Sequence, residues 1–252
     1  MVKLLLLISS SFTFLFLLSG CSTPVDSSNL KTSGFYAFID ISGRVSDAEV
    51  RVSLKSGSSI LASDLDLNSG DLLRASTDTD SRILSKDGFP VLGIDYVTTI
   101  PYVGGSNFTV ALERNDGDNA PSSTVSMPEA FNITSPANNT TYNQNSSITI
   151  AWGPSVSNGT MTINHSETCI LVSGGKGEAD SSSVTVPDTG SYTIASSTLF
   201  PTFTDSYGNP ESISSCDSKF KLSRTNSGTI DSNLGGGSIK ASQDRWINLI
   251  LN

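Results

Sequence analysis

The stretch Glu49-Val50-Arg51-Val52-Ser53-Leu54-Lys55 alternates strictly, with Val50, Val52 and Leu54 on one side and Glu49, Arg51, Ser53 and Lys55 on the other. Successive side chains of an extended chain point to opposite faces, so this pattern specifies a β-strand with one buried face. The same period recurs at Phe35 to Ile41, Phe89 to Ile94, Tyr96 to Ile100 and Asn107 to Arg114, where Phe108, Val110 and Leu112 form the inward set. Lys55-Ser56-Gly57, Asn68-Ser69-Gly70 and Val103-Gly104-Gly105 carry the Gly and Ser that turns require. Short strands punctuated in this way predict a β-sandwich over residues 34–119. No window of a dozen residues keeps an apolar helical stripe free of Gly, Pro, Asn or runs of Ser, so the expected fold class is all-β.

Upstream lies a different kind of segment. A basic start at Lys3, an apolar stretch from Leu4 to Leu18 and small residues at Ser19 and Gly20 have the three parts of a secretory signal. The run is too short and too rich in Ser and Thr to be a spanning helix, which needs roughly 20 apolar residues. Leu18-Ser19-Gly20-Cys21 resembles the bacterial lipoprotein lipobox: Leu, a small residue, Gly or Ala, then Cys. The resemblance implies that residues 1–20 are a cleaved signal peptide and that Cys21 receives a diacylglycerol and an amide-linked acyl chain such as palmitate. Several chains, at about 0.8 kcal/mol per buried CH₂, make a stable anchor where one does not. Ser22 stands where Asp would favour inner-membrane retention, so the expected location is the outer membrane. Residues 21–33, polar and aperiodic after Cys21, are expected to form a flexible tether.

With Cys21 lipidated, the chain's 3 cysteines leave Cys169 and Cys216 as an even pair in a compartment where disulfides persist, and they are expected to be bonded. The charge balance of 15 Lys+Arg against 24 Asp+Glu, net −9, includes no basic stripe, which argues against nucleic acid as a partner.

A second domain, residues 120–225, opens after the Pro-bearing joint Ala120-Pro121-Ser122-Ser123. Its clearest strand is Ser147-Ile148-Thr149-Ile150-Ala151-Trp152; others are read at Phe131 to Ile133, Met161 to Asn164, Thr168 to Val172, Ser183 to Val186, Tyr192 to Ala195 and Lys219 to Leu222. A strand ending in Trp152-Gly153-Pro154, followed later by Thr189-Gly190-Ser191-Tyr192-Thr193-Ile194, is similar to fibronectin type III and immunoglobulin-like sandwiches. In antibody-type domains the landmarks run Cys, Trp, Cys. Here Trp152 precedes both Cys169 and Cys216, which favours a bridge between neighbouring strands. The expected architecture is therefore two consecutive antiparallel sandwiches after a leader and tether. Residues 226–252 contain Gly235-Gly236-Gly237 and an apolar end, Trp246 to Leu251, expected as a closing strand of the second domain. The other use of that end is donation to a partner's sheet edge.

No catalytic constellation is legible. The sole histidine, His165, sits in polar Asn164-His165-Ser166 and reads as a surface residue, and there is no Gly-x-Ser-x-Gly. Ser28-x-x-Lys31 and Ser173-x-x-Lys176 match a Ser-x-x-Lys spacing without the Ser-Asp-Asn that accompanies it in penicillin-binding enzymes. Asp64, Asp66, Asn68 and Asp71 are the calcium candidates, but Gly70 falls one place late and Ala75 stands where a bidentate Glu belongs. Turn-forming Asp is the plainer reading, and neither metal nor cofactor is expected. Tyr102, Tyr142 and Tyr207 are the aromatics a glycan would need exposed. The expected function is a non-enzymatic, membrane-anchored envelope lipoprotein that binds or spaces a protein or glycan. The alternative is a structural subunit docking through its C-terminal strand.

Overall fold

The computed structural model describes residues 23–44, 46–59, 61–68, 70–89, 93–143, 146–178, 182–199, 202–204 and 209–252; Cys21, Ser22 and Tyr207 lie outside them. The strands are, in the first half, β1 (Val25–Asp26), β2 (Tyr36–Gly43), β3 (Asp47–Lys55), β4 (Leu65–Asp66), β5 (Leu72–Ser76), β6 (Ser81–Ile83), β7 (Ser85–Phe89), β8 (Gly93–Pro101), β9 (Asn107–Glu113) and β10 (Ala120–Ser126). The second half has β11 (Asn132–Ser135), β12 (Thr140–Tyr142), β13 (Ile148–Gly153), β14 (Thr160–Leu171), β15 (Lys176–Glu178), β16 (Ser182–Pro187), β17 (Ser191–Ile194), β18 (Phe203–Thr204) and β19 (Pro210–Glu211). Two long strands, β20 (Ile213–Ser227) and β21 (Gly236–Leu251), close the chain. Among the described residues, helix is confined to short 3-10 turns at Ser27–Asn29 and Thr32–Gly34 and one turn at Ser196–Leu199. The fold is all-β and of the sandwich kind.

One sheet runs through the whole body, in the order β15-β14-β20-β21-β2-β3-β8-β7, with β16 on β14 and β12 on β21. Over β2, β3 and β8 packs the sheet β10-β9-β5-β6, and over β14, β20 and the end of β21 packs β11-β13-β17. Each layer pair encloses its own apolar core. The first holds Val50, Val52, Leu54, Phe108, Val110 and Leu112, the inward residues expected of those strands. The second holds Ile148, Ile150, Trp152, Ile163, Phe220 and Leu249.

The halves are not consecutive in the way the sequence suggests, because the C-terminal segment belongs to both. Residues Gly236 to Gln243 of β21 pair in parallel with Tyr36 to Gly43 of β2, while Lys240 to Leu251 pair with β20. Near its end, Leu249 to Leu251 also pair with Thr140 to Tyr142. The apolar end, Trp246 to Leu251, thus closes the second half as expected, while the preceding residues of the same strand, with Ile239 and Ala241 in the first core, close the first. Gly237 makes the parallel pairing possible: its φ of +130° lies where side chains are strained, and a Cβ would run into the Ala37 carbonyl.

The boundary at residue 120 also moves. β10 pairs with β9, and Val125 and Met127 enter the first core, whereas Phe131 is the first residue of the second. The free edge of β10 is covered by the β20–β21 connection. Thr124 and Thr229 exchange backbone hydrogen bonds of 2.8 and 2.9 Å, and the Ser122 amide and hydroxyl donate to Asp231 Oδ2 at 2.7 and 2.6 Å. Burial opposes the Asp231 charge, but these bonds and one from the Asn233 amide outweigh it and hold the carboxyl below its ordinary pKa.

The expected flexible tether is corrected from Val25 onward. β1 pairs with β4, Ser27 and Thr32 are buried, and Arg114 gathers the segment. Its guanidinium donates to the Ser27 carbonyl at 3.0 Å, the Leu30 carbonyl at 3.3 Å and Thr32 Oγ1 at 3.3 Å while lying over the Phe35 ring. A polar, aperiodic sequence is held here by side chain to backbone bonds, which leave no periodic trace.

Candidate binding groove and a buried histidine cluster

Where the two halves meet, β20 outruns its neighbour. The last β14 pairing is Thr162 with Ser223, so Arg224 to Ser227 continue with a strand partner on the β21 side only. Beside this edge lies a cavity of about 440 Å³ walled by Glu129, Asn158, Thr160, Thr225 and Asn226. A second cavity of about 410 Å³ shares Ser126, Thr225 and Asn226 with it and adds Asn107 and Thr124. Together they form a groove presenting hydroxyls and carboxamides, with one exposed carboxylate, Glu129. The Asn226 amide donates to the Ser126 carbonyl at 3.0 Å and so ties one wall to the other.

The groove is held by an ion pair buried beneath it. Arg224 Nε donates to Asp188 Oδ2 at 2.6 Å, and the side chains are 4% and 0% exposed. The other carboxylate oxygen accepts from Trp152 Nε1 at 2.7 Å, and Arg224 also donates to the Glu129 carbonyl at 3.0 Å and to the Pro154 carbonyl. Its guanidinium lies 4.9 Å from the Phe131 ring centre, and that of Arg245 lies 5.5 Å from the same ring. One charged pair thereby joins β13, the β16–β17 connection, β20 and the 127–131 linker.

The sequence-derived sites fare unevenly. Cys169 and Cys216 occupy opposite positions on β14 and β20 and are joined by a disulfide, a bridge between neighbouring strands as their order relative to Trp152 implied. The calcium candidates do not converge. Asp64 pairs with Lys55 at 2.5 Å, Asp66 with Lys86 at 2.7 Å and Asp71 with Arg114 at 2.7 Å, while Asn68 donates to Asp26 at 2.6 Å. Each carboxylate is thus committed to a separate cation. Tyr102 is half-buried, accepting from Gln243 at 2.6 Å and donating to the Arg44 carbonyl at 2.8 Å, and Tyr142 packs on the second core. Among the described residues an exposed aromatic is instead Trp246, on the outer face of the long sheet, 66% exposed, with Lys221 Nζ 5.4 Å from its ring centre.

His165 is not the surface residue its neighbours suggested. It lies on the inward face of β14 between Ile163 and Glu167, is 5% exposed, and stacks on Phe220 with ring centres 5.6 Å apart. Its Nδ1 is 2.7 Å from Glu167 Oε1, and its Nε2 is hydrogen-bonded to Ser182 Oγ on β16. The sequence conceals this, because two polar residues at successive inward positions erase the alternation that marks a strand. The one available signal was spacing: His165 and Glu167, two apart in an extended chain, share a face.

Neither known family models nor curated protein sequences match this chain.

Proposed function

We propose that this protein is an envelope lipoprotein, held at the outer membrane by acylated Cys21, whose β body binds a protein or glycan partner. The observation that carries the binding role is the junction groove. Its walls offer hydroxyls, carboxamides and one exposed carboxylate, a donor and acceptor set suited to the amides of an extended peptide or the hydroxyls of a glycan. The continuous sheet beneath fixes the two walls relative to each other, so the groove is largely preformed and little ordering entropy opposes binding. Anchoring is supported by Leu18-Ser19-Gly20-Cys21, and an oxidising compartment by the Cys169–Cys216 bridge.

The test has two arms. Metabolic labelling with an alkyne fatty acid tags the wild type and not Cys21→Ser, which is released from the membrane fraction; equal tagging of both rejects the anchor. Envelope proteins and oligosaccharides are then screened against the soluble body and against Thr225→Trp, which fills the groove. A ligand retained equally by both rejects the groove as its site.

A further inference from the structure

We infer that Ser182, His165 and Glu167 form a nucleophilic relay that accepts an acyl group from an ester, an activity that goes beyond the anchored-binding reading and does not depend on it. The three side chains come from facing positions. Ser182 pairs with His165 across β16 and β14, and Glu167 follows His165 on the same face. A neutral imidazole carrying its hydrogen on Nδ1 satisfies both contacts: Nδ1–H donates to Glu167 Oε1 at 2.7 Å, and Nε2 accepts from the Ser182 hydroxyl. Burial is graded along the relay. The Glu167 side chain is 2% exposed and that of His165 5%, whereas Ser182 is exposed on the outer strand of that edge. An inner carboxylate, an imidazole in the middle and a hydroxyl open to solvent are the order that general-base activation of a serine requires.

Stability does not account for this arrangement. A carboxylate and an imidazole here displace apolar side chains from a core otherwise built of Ile163, Cys169, Phe220 and their neighbours. Buried ionisable pairs are commonly no better for stability than apolar residues of similar volume. Facing Glu167, Ser218 has its hydroxyl buried without a hydrogen-bond partner, so the polar character of this patch extends further than the pair itself needs.

In the reaction, the Ser182 Oγ–H proton passes to His165 Nε2 as Oγ bonds to the ester carbonyl carbon. Glu167 holds the resulting imidazolium through Nδ1–H. Collapse breaks the bond to the alkoxide, which takes the proton from Nε2, leaving an acyl group on Ser182. Water, deprotonated by the same nitrogen, hydrolyses it and restores the hydroxyl.

The experiment treats the soluble body with diisopropyl phosphorofluoridate and locates the adduct by peptide mass spectrometry. Oγ–P forms, P–F breaks, fluoride leaves and the proton goes to the imidazole. Ser183, the exposed neighbour on the opposite face of β16, is the control within the same molecule. Labelling at Ser182 at least tenfold faster than at Ser183, lost in Ser182→Ala and slowed at least tenfold in Glu167→Gln, supports the relay. Equal, slow labelling of both serines overturns it and leaves His165 a core imidazole with two satisfied nitrogens. Ser182→Ala removes an exposed hydroxyl and leaves His165 Nε2 without that partner, and thermal unfolding of each variant verifies that the fold is kept. If Glu167→Gln does not fold, the wild-type ratio of Ser182 to Ser183 still decides.

Discussion

Asp188→Ala is the most informative single perturbation of this fold, because it removes the buried carboxylate that pairs with Arg224 beneath the junction. Two charge-assisted or buried hydrogen bonds are lost at once, from Arg224 Nε at 2.6 Å and Trp152 Nε1 at 2.7 Å. The substitution strands a guanidinium whose side chain is 4% exposed. Breaking a buried pair by deleting one partner costs about 3–5 kcal/mol, and an orphaned indole N–H accounts for about 1–3 kcal/mol of that kind of penalty. The expected loss is therefore about 3–5 kcal/mol, two to four orders of magnitude in the folded fraction and a large share of a domain's usual stability. Urea unfolding followed by tryptophan fluorescence reports it directly, since Trp152 is one of only 2 tryptophans. Because β21 contributes to both cores and pairs along β20, far-ultraviolet circular dichroism, which also sees the first half, is expected to move with the fluorescence in one transition. The double variant Asp188→Leu with Arg224→Met removes both charges and is expected to recover most of the loss. A cost below about 1 kcal/mol for Asp188→Ala refutes the reasoning, as does a double variant no better than the sum of its parts.

Two further outcomes follow from the structure. Replacing Cys169 and Cys216 together by Ala opens a link between residues 47 apart, for which the chain-entropy account gives about 4 kcal/mol. The urea midpoint reads the loss, and a change under about 1 kcal/mol contradicts it. Tyr96 is buried, its hydroxyl accepting from the Leu67 amide at 2.7 Å and donating to the Leu65 carbonyl, and desolvation pushes its pKa from the ordinary 10.0 up to about 12. The unfolded phenol thus releases its proton first, so this contribution is intact below pH 10 and lost as pH rises towards 12. Stability of the wild type is expected to fall more steeply than that of Tyr96→Phe over that window, and parallel slopes rule the account out.

Legibility in the sequence depended on what stands at the inward positions of each strand. In β3, β9 and β13 those positions hold Val, Leu, Ile, Phe and Trp, and alternation alone located them. In β21 the inward residues Ala241 and Gln243 are small and polar; Gln243 is fully buried and donates to Tyr102. The strand therefore vanishes from the pattern just where it crosses from one half to the other. From sequence β14 reads as two short pieces because His165 and Glu167 interrupt its apolar face, and β20 as four residues because Ser218 and Arg224 do the same. Each interruption is affordable only in context: Asp188 for Arg224, Ser182 for His165, Tyr102 for Gln243. Those partners lie 17 to 141 residues away, beyond any local window. Local rules thus fail at the inter-half junction and at the histidine cluster, and tertiary pairing decides there. The groove and the relay share that origin: both were hidden by the polar inward residues that build them.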